Sequence, residues 1–134
     1  MKKISCFNLL ILFFTMLLPS CIIEDGKWKD NIKLSAKSLE FQAKPDSSII
    51  TTEGDWWWIC DITVNDNHFY GFDINPDSEN YIIKQDCFTV ERRDKHTLFI
   101  RLDENLLNIS RVVTIGLEAG DYFDRVTITQ KARQ

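Results

Sequence analysis

From residue 34 onward the hydrophobic and polar positions alternate with a period of two, the pattern of strands that bury one face. Ser38-Leu39-Glu40-Phe41-Gln42-Ala43 alternates until Pro45-Asp46 stops it as a turn, and Ile49 to Glu53 predicts a second strand closed by Gly54-Asp55. Trp56 to Val64 predicts a longer strand. Trp56, Trp58, Cys60, Ile62 and Val64 should share one face, with Trp57, Ile59, Asp61 and Thr63 on the other. Asn65-Asp66-Asn67 is a turn signal, and His68 to Ile74 reads as the returning arm of a hairpin. Short strands follow at Tyr81-Ile82-Ile83, around Phe88 and Val90, and at Leu98, Ile100 and Leu102. The last pair is the cleanest: Val113, Ile115 and Leu117 form an inward row, Ala119-Gly120-Asp121 turns the chain, and Val126 and Ile128 return. Tyr122 and Phe123 interrupt the alternation there, predicting a bulge near Asp124. No segment beyond the N-terminal region carries a helical period over three turns.

Strands this short, with turns at regular intervals, predict an all-β fold. The expectation is an immunoglobulin-like β-sandwich of about seven to nine strands spanning residues 34–134.

The N-terminus is patterned differently. Lys2 and Lys3 precede a nearly unbroken apolar run from Ile4 to Leu18, the layout of a secretory signal and too short for a comfortable membrane span. Its end, Leu18-Pro19-Ser20-Cys21, resembles the lipobox of bacterial lipoproteins. That resemblance implies cleavage of residues 1–20, lipid on Cys21, and a membrane anchor made by that lipid. An ordinary signal peptide cut elsewhere, or an anchor helix, are the alternatives. Residues 21–33 then read as the lipidated cysteine followed by a flexible polar tether. Glu24-Asp25 is similar to acidic signals that send lipoproteins to the outer face of the outer membrane. Cell-surface display is therefore expected, with a periplasm-facing lipoprotein as the alternative.

Charge narrows the partners. Removing residues 1–20 takes away two lysines and no acid, leaving 14 basic against 20 acidic side chains, a net charge of −6. An acidic chain without a basic cluster is poorly suited to nucleic acid. Of the four cysteines, Cys6 leaves with the signal and Cys21 takes lipid. Cys60 and Cys87 remain in an oxidising setting, where they form either a disulfide or two buried free thiols.

Several segments carry a family resemblance: Trp56-Trp57-Trp58 after Gly54-Asp55, Phe88-Thr89-Val90, Leu98 to Asn105, Ser110 to Ile115, and the closing Val126-Thr127-Ile128-Thr129-Gln130. Together they resemble the BACON domain over roughly residues 34–132, with Asn105, Arg111 and Gln130 in places that the family pattern marks. Residues 65–86 depart from it as a longer insertion. The resemblance implies an immunoglobulin-like sandwich found in surface glycan-handling proteins, acting as a spacer or as a carbohydrate- or mucin-binding module.

Trp56, Trp57 and Trp58 are the candidate glycan-binding residues, joined by Tyr70 from the aromatic group His68, Phe69, Tyr70, Phe72 and Tyr81. A tryptophan face matches the apolar C–H face of a sugar ring, but neighbours on a strand point to opposite sides, so part of the cluster must be core. Asp73 to Glu79 spaces oxygen ligands like a calcium loop but lacks its glycine and closing glutamate, which makes a solvated turn the better account. Asp103-Glu104 has no facing carboxylate, and His68 and His96 lack ligand spacing. No catalytic constellation, metal site or cofactor motif is expected. The leading expectation is a non-catalytic spacer, accessory or docking module beside another outer-membrane protein; carbohydrate binding through exposed aromatics is the alternative.

Overall fold

A computed structural model describes residues 29–134. The expected signal, Cys21 and the first part of the tether lie outside the described residues. Nine strands form: β1 (Ser38–Phe41), β2 (Asp46–Thr51), β3 (Trp58–Val64), β4 (Asn67–Tyr70), β5 (Tyr81–Gln85), β6 (Phe88–Arg92), β7 (Thr97–Leu102), β8 (Arg111–Ala119) and β9 (Tyr122–Gln130). They make a five-stranded sheet of order β1-β9-β8-β3-β4 and a four-stranded sheet of order β2-β7-β6-β5. All pairs are antiparallel except β1 with β9. The fold is the expected all-β immunoglobulin-like sandwich, with β9-β8-β3 and β2-β7-β6 as its two opposed triplets.

The inward rows meet as one core. Ile62, Ile115, Leu117 and Ile128 from the larger sheet and Val90, Leu98 and Ile100 from the smaller are almost fully buried. The Trp57 indole seals one end of the sandwich. It is wholly buried, and its Nε1 donates to Thr52 Oγ1 (3.0 Å) and to the Lys95 carbonyl (2.9 Å). Arg92, also buried, stands 4.5 Å over that ring. Its Nη groups donate to the carbonyls of Ser78 and Asp55, tying two loops to the same end.

At the opposite end the three residues marked by the family resemblance converge. Asn105 Nδ2 donates to the carbonyls of Ile109 and Lys131, and Asn105 Oδ1 accepts from Leu107 N–H. Gln130 Nε2 donates to the Asp103 carbonyl (3.0 Å), while Gln130 Oε1 accepts from Arg111 Nη1 (2.8 Å).

Three expectations are corrected. The packed domain starts before residue 34, because Ile32 is fully buried. Asp30 Oδ1 accepts from the N–H groups of Ile32 and Lys33, and Gly54 N–H donates to the Ile32 carbonyl. A side chain at Gly54 would overlap the Asn31 carbonyl, so glycine is what allows this segment to dock. No bulge occurs near Asp124, since the β8–β9 register is continuous from Arg111↔Gln130 to Ala119↔Tyr122. Phe123 simply faces solvent, and the inward Asp124 is neutralised by Lys37 at 2.7 Å. The irregularity lies instead in β3, where the register against β8 shifts between Ile59 and Asp61. Tyr81 of the opposite sheet holds this bulge, its hydroxyl accepting from Ile59 N–H at 2.9 Å. Burial pushes the Tyr81 phenol up, so it stays neutral in that role.

Candidate functional site

The bulge decides which side chains the five-stranded sheet presents to solvent. Without it, Cys60 would share the inner face with Ile62, as the alternation predicts. With it, Cys60 and Asp61 both turn outward while Ile59, Ile62 and Val64 remain inside. Directly paired residues share a face, so the registers define three rows across the outer surface. The first is Trp58, Glu118 and Phe123; the second is Tyr70, Asp61, Gly116 and Arg125; the third is His68, Thr63, Thr114 and Thr127.

The three tryptophans of the cluster separate. Trp57 belongs to the core. Trp56 is 59% exposed, lies over Gly120 in the β8–β9 turn, and meets the half-buried Trp58 edge to face, with ring centroids 5.5 Å apart. Phe123, 62% exposed, continues this aromatic margin, and Tyr70, 78% exposed, stands on the same sheet face on edge strand β4. Of the four predicted glycan-binding residues, three are thus solvent-facing and one is structural.

Between the aromatic margin and the threonine row runs a trench of about 400 Å³ lined by Cys60, Asp61, Thr63, His68, Gly116 and Arg125, among others. Gly116 forms its floor. A Cβ there would overlap the Asp61 carboxylate and stand 3.2 Å from Cys60 Sγ. His68 Nδ1 and Thr63 Oγ1 share a hydrogen bond of 3.1 Å at the β4 end. Asp61, Gly116, Phe123 and Arg125 are not among the candidate binding residues read from the sequence. The available signal is a glycine in the middle of strand β8, which marks a close approach to the backbone.

Cys60 and Cys87 are both free, which corrects the disulfide alternative. Cys60 faces outward from β3, whereas Cys87 lies in the β5–β6 turn of the other sheet, its carbonyl accepting from Asp103 N–H. The Cys60 thiol donates to Asp61 Oδ1 at 3.3 Å, and partial burial, with the adjacent carboxylate, pushes it up to about 12. Iodoacetamide at pH 8 is accordingly expected to modify Cys60 far more slowly than free cysteine. Because the folded-state value is the raised one, the stabilisation is complete below pH 9 and is lost as pH rises from 9 towards 12. Alkaline unfolding that begins later in a Cys60→Ala variant is the expected signature.

Among the described residues, no group of three or more His, Cys, Asp or Glu side chains is arranged to hold a metal ion. In the Asp73 to Glu79 segment, Asn75 Oδ1 accepts from Asp77 N–H and the Asn75 carbonyl from Ser78 N–H, making a local turn.

No family model and no curated protein matches the chain. A solved structure described as the NMR structure of the protein from Bacteroides thetaiotaomicron is similar in fold. It has a TM-score of 0.61 and 23% identity, covering 83% of this chain and 94% of that one.

Proposed function

We propose that the protein is a membrane-tethered, non-catalytic module of the BACON type that holds a saccharide against the outer face of its five-stranded sheet. The observation that carries this reading is the aromatic margin. Trp57 is buried as a core anchor, whereas Trp56 and Phe123 are solvent-exposed, Phe123 lining the polar trench and Trp56 lying over Gly120 in the adjoining turn. Large flat apolar faces next to hydroxyls and a carboxylate match a sugar ring, which is apolar on its C–H face and polar at its edge. The tether is the lipid on Cys21 expected from Leu18-Pro19-Ser20-Cys21, and display at the cell surface follows from Glu24-Asp25.

The test is intrinsic fluorescence of the full chain in detergent, titrated with mucin and plant glycans. A glycan that shifts the emission and protects it from acrylamide, with the shift abolished in a Trp56→Ala/Phe123→Ala variant, is the expected result. A chain that no glycan perturbs returns the domain to the role of spacer or accessory subunit.

One observation favours that second reading. Leu106 (63% exposed), Leu107 (51%) and Ile109 (58%) project from one loop, which the Asn105, Gln130 and Arg111 hydrogen bonds hold in shape. An ordered apolar tip of this kind is suited to docking on a neighbouring outer-membrane protein.

A further inference from the structure

We infer that the polar anchor for the saccharide is the trench over Gly116, and that it takes an internal stretch of a neutral, linear polysaccharide laid across the strands. This rests on the saccharide reading above and adds a site, a ligand class and a direction to it.

The direction comes from the sheet edges. The Tyr70-Asp61-Gly116-Arg125 row crosses four strands, about 14 Å at the usual inter-strand spacing. It begins at edge strand β4. It also ends at an edge, because β1 pairs with β9 only from Thr127 to Gln130 and does not reach Arg125. No strand pairs across either end of the row; the segment before β1 flanks the β9 end, but its Lys37 reaches Asp124 at 2.7 Å, on the opposite side of β9 from Arg125. A site for chain termini needs a wall at one end.

The floor comes from Gly116. Any side chain there would displace Asp61, so the glycine both creates the depression and lets the carboxylate fold over the backbone. The walls then offer opposite kinds of hydrogen-bonding group. Asp61 only accepts, Arg125 only donates, and the Thr63 and Thr114 hydroxyls do both. Vicinal hydroxyls, which both donate and accept, satisfy such a set.

Charge selects the class. An anionic chain in this trench would run along Asp61, with Glu118 on the neighbouring row, against the single cation Arg125 among the trench residues. The other nearby carboxylate, Asp124, is already held by Lys37 at 2.7 Å. A neutral chain meets no such repulsion.

Isothermal calorimetry on the full chain in detergent, using mixed-linkage β-glucan, glucomannan, xylan, polygalacturonate and chondroitin sulfate, tests this. One or more of the neutral polymers should bind, with affinity unchanged after borohydride reduction of its reducing end. Asp61→Asn, which keeps the shape but removes the charge-assisted hydrogen bonds, should weaken binding by about tenfold or more. Gly116→Ala should do at least as much. A thermal melt of each variant separates loss of the site from loss of the fold, and Asp61→Asn carries the test if Gly116→Ala does not fold. Binding that is lost in Trp56→Ala/Phe123→Ala but unaffected by Asp61→Asn overturns the trench while leaving the saccharide reading intact. Preference for the anionic polymers, or loss of binding on end reduction, overturns the ligand class. No binding by any polymer overturns both readings.

Discussion

Trp57→Ala is expected to destabilise the fold by about 3–5 kcal/mol, a large part of the roughly 5–15 kcal/mol that holds a domain of this size together. The indole is fully buried, so its removal leaves a cavity between the two sheets. It also removes the indole donor from the Lys95 carbonyl and from the Thr52 hydroxyl, which keeps its own bond to the Gly54 carbonyl, and takes away the aromatic face beneath Arg92. Urea unfolding followed by circular dichroism would measure the loss, with an unchanged dependence on denaturant showing that the unfolded state is the same. Trp57→Phe should fall between, keeping much of the packing and losing both hydrogen bonds. Trp56→Ala, one position away and mostly exposed, should cost no more than about 1 kcal/mol. Equal losses at the two positions would refute the division of the cluster into anchor and platform.

Asn105→Ala should be nearly as damaging, at roughly 2–4 kcal/mol, though the side chain is small and polar. Its amide satisfies three backbone groups, the Ile109 and Lys131 carbonyls and the Leu107 N–H, with no exposure of its own. Truncation leaves these part-buried backbone groups without their partner inside the fold, which costs more than the bonds contribute when made. Asn105→Asp separates this from volume, because a carboxylate presents oxygen to two carbonyls that need a donor. It should be at least as destabilising as alanine at neutral pH. Gln130→Ala should couple to Asn105→Ala by more than about 0.5 kcal/mol, since both side chains fix the segment around Asp103 and Lys131. Thermal melts of the two single variants and the double variant provide the cycle.

The strands were legible because their buried residues recur at every second position, as in Val113, Ile115 and Leu117. That regularity also located the two-residue hairpin at Gly120-Asp121. What misled was any residue whose environment is set by a partner distant in sequence. Ile32 looks like one apolar residue in a polar tether, yet Gly54, far along the chain, makes room for it. The β3 bulge is fixed by Tyr81 from the other sheet, and nothing near Ile59 or Cys60 announces it. A one-residue slip was enough to send Cys60 outward and to bring Asp61 over Gly116. The tryptophans were visible as a cluster, but their division between interior and surface depended on where β3 begins. The trench itself exists only because four strands are in register, which no single segment encodes.

The parallel pairing of β1 with β9 has a mechanical consequence. The first and last strands lie side by side and point the same way, joined over Ser38↔Thr127 to Phe41↔Gln130. Tension applied between the N-terminal segment and the C-terminus therefore pulls the two strands along each other. The backbone bonds between them bear that load together, in shear, instead of opening one after another. A domain held to a membrane by its N-terminal segment and dragged at the other end would resist through this short seam, and rupture there would come before the core is disturbed.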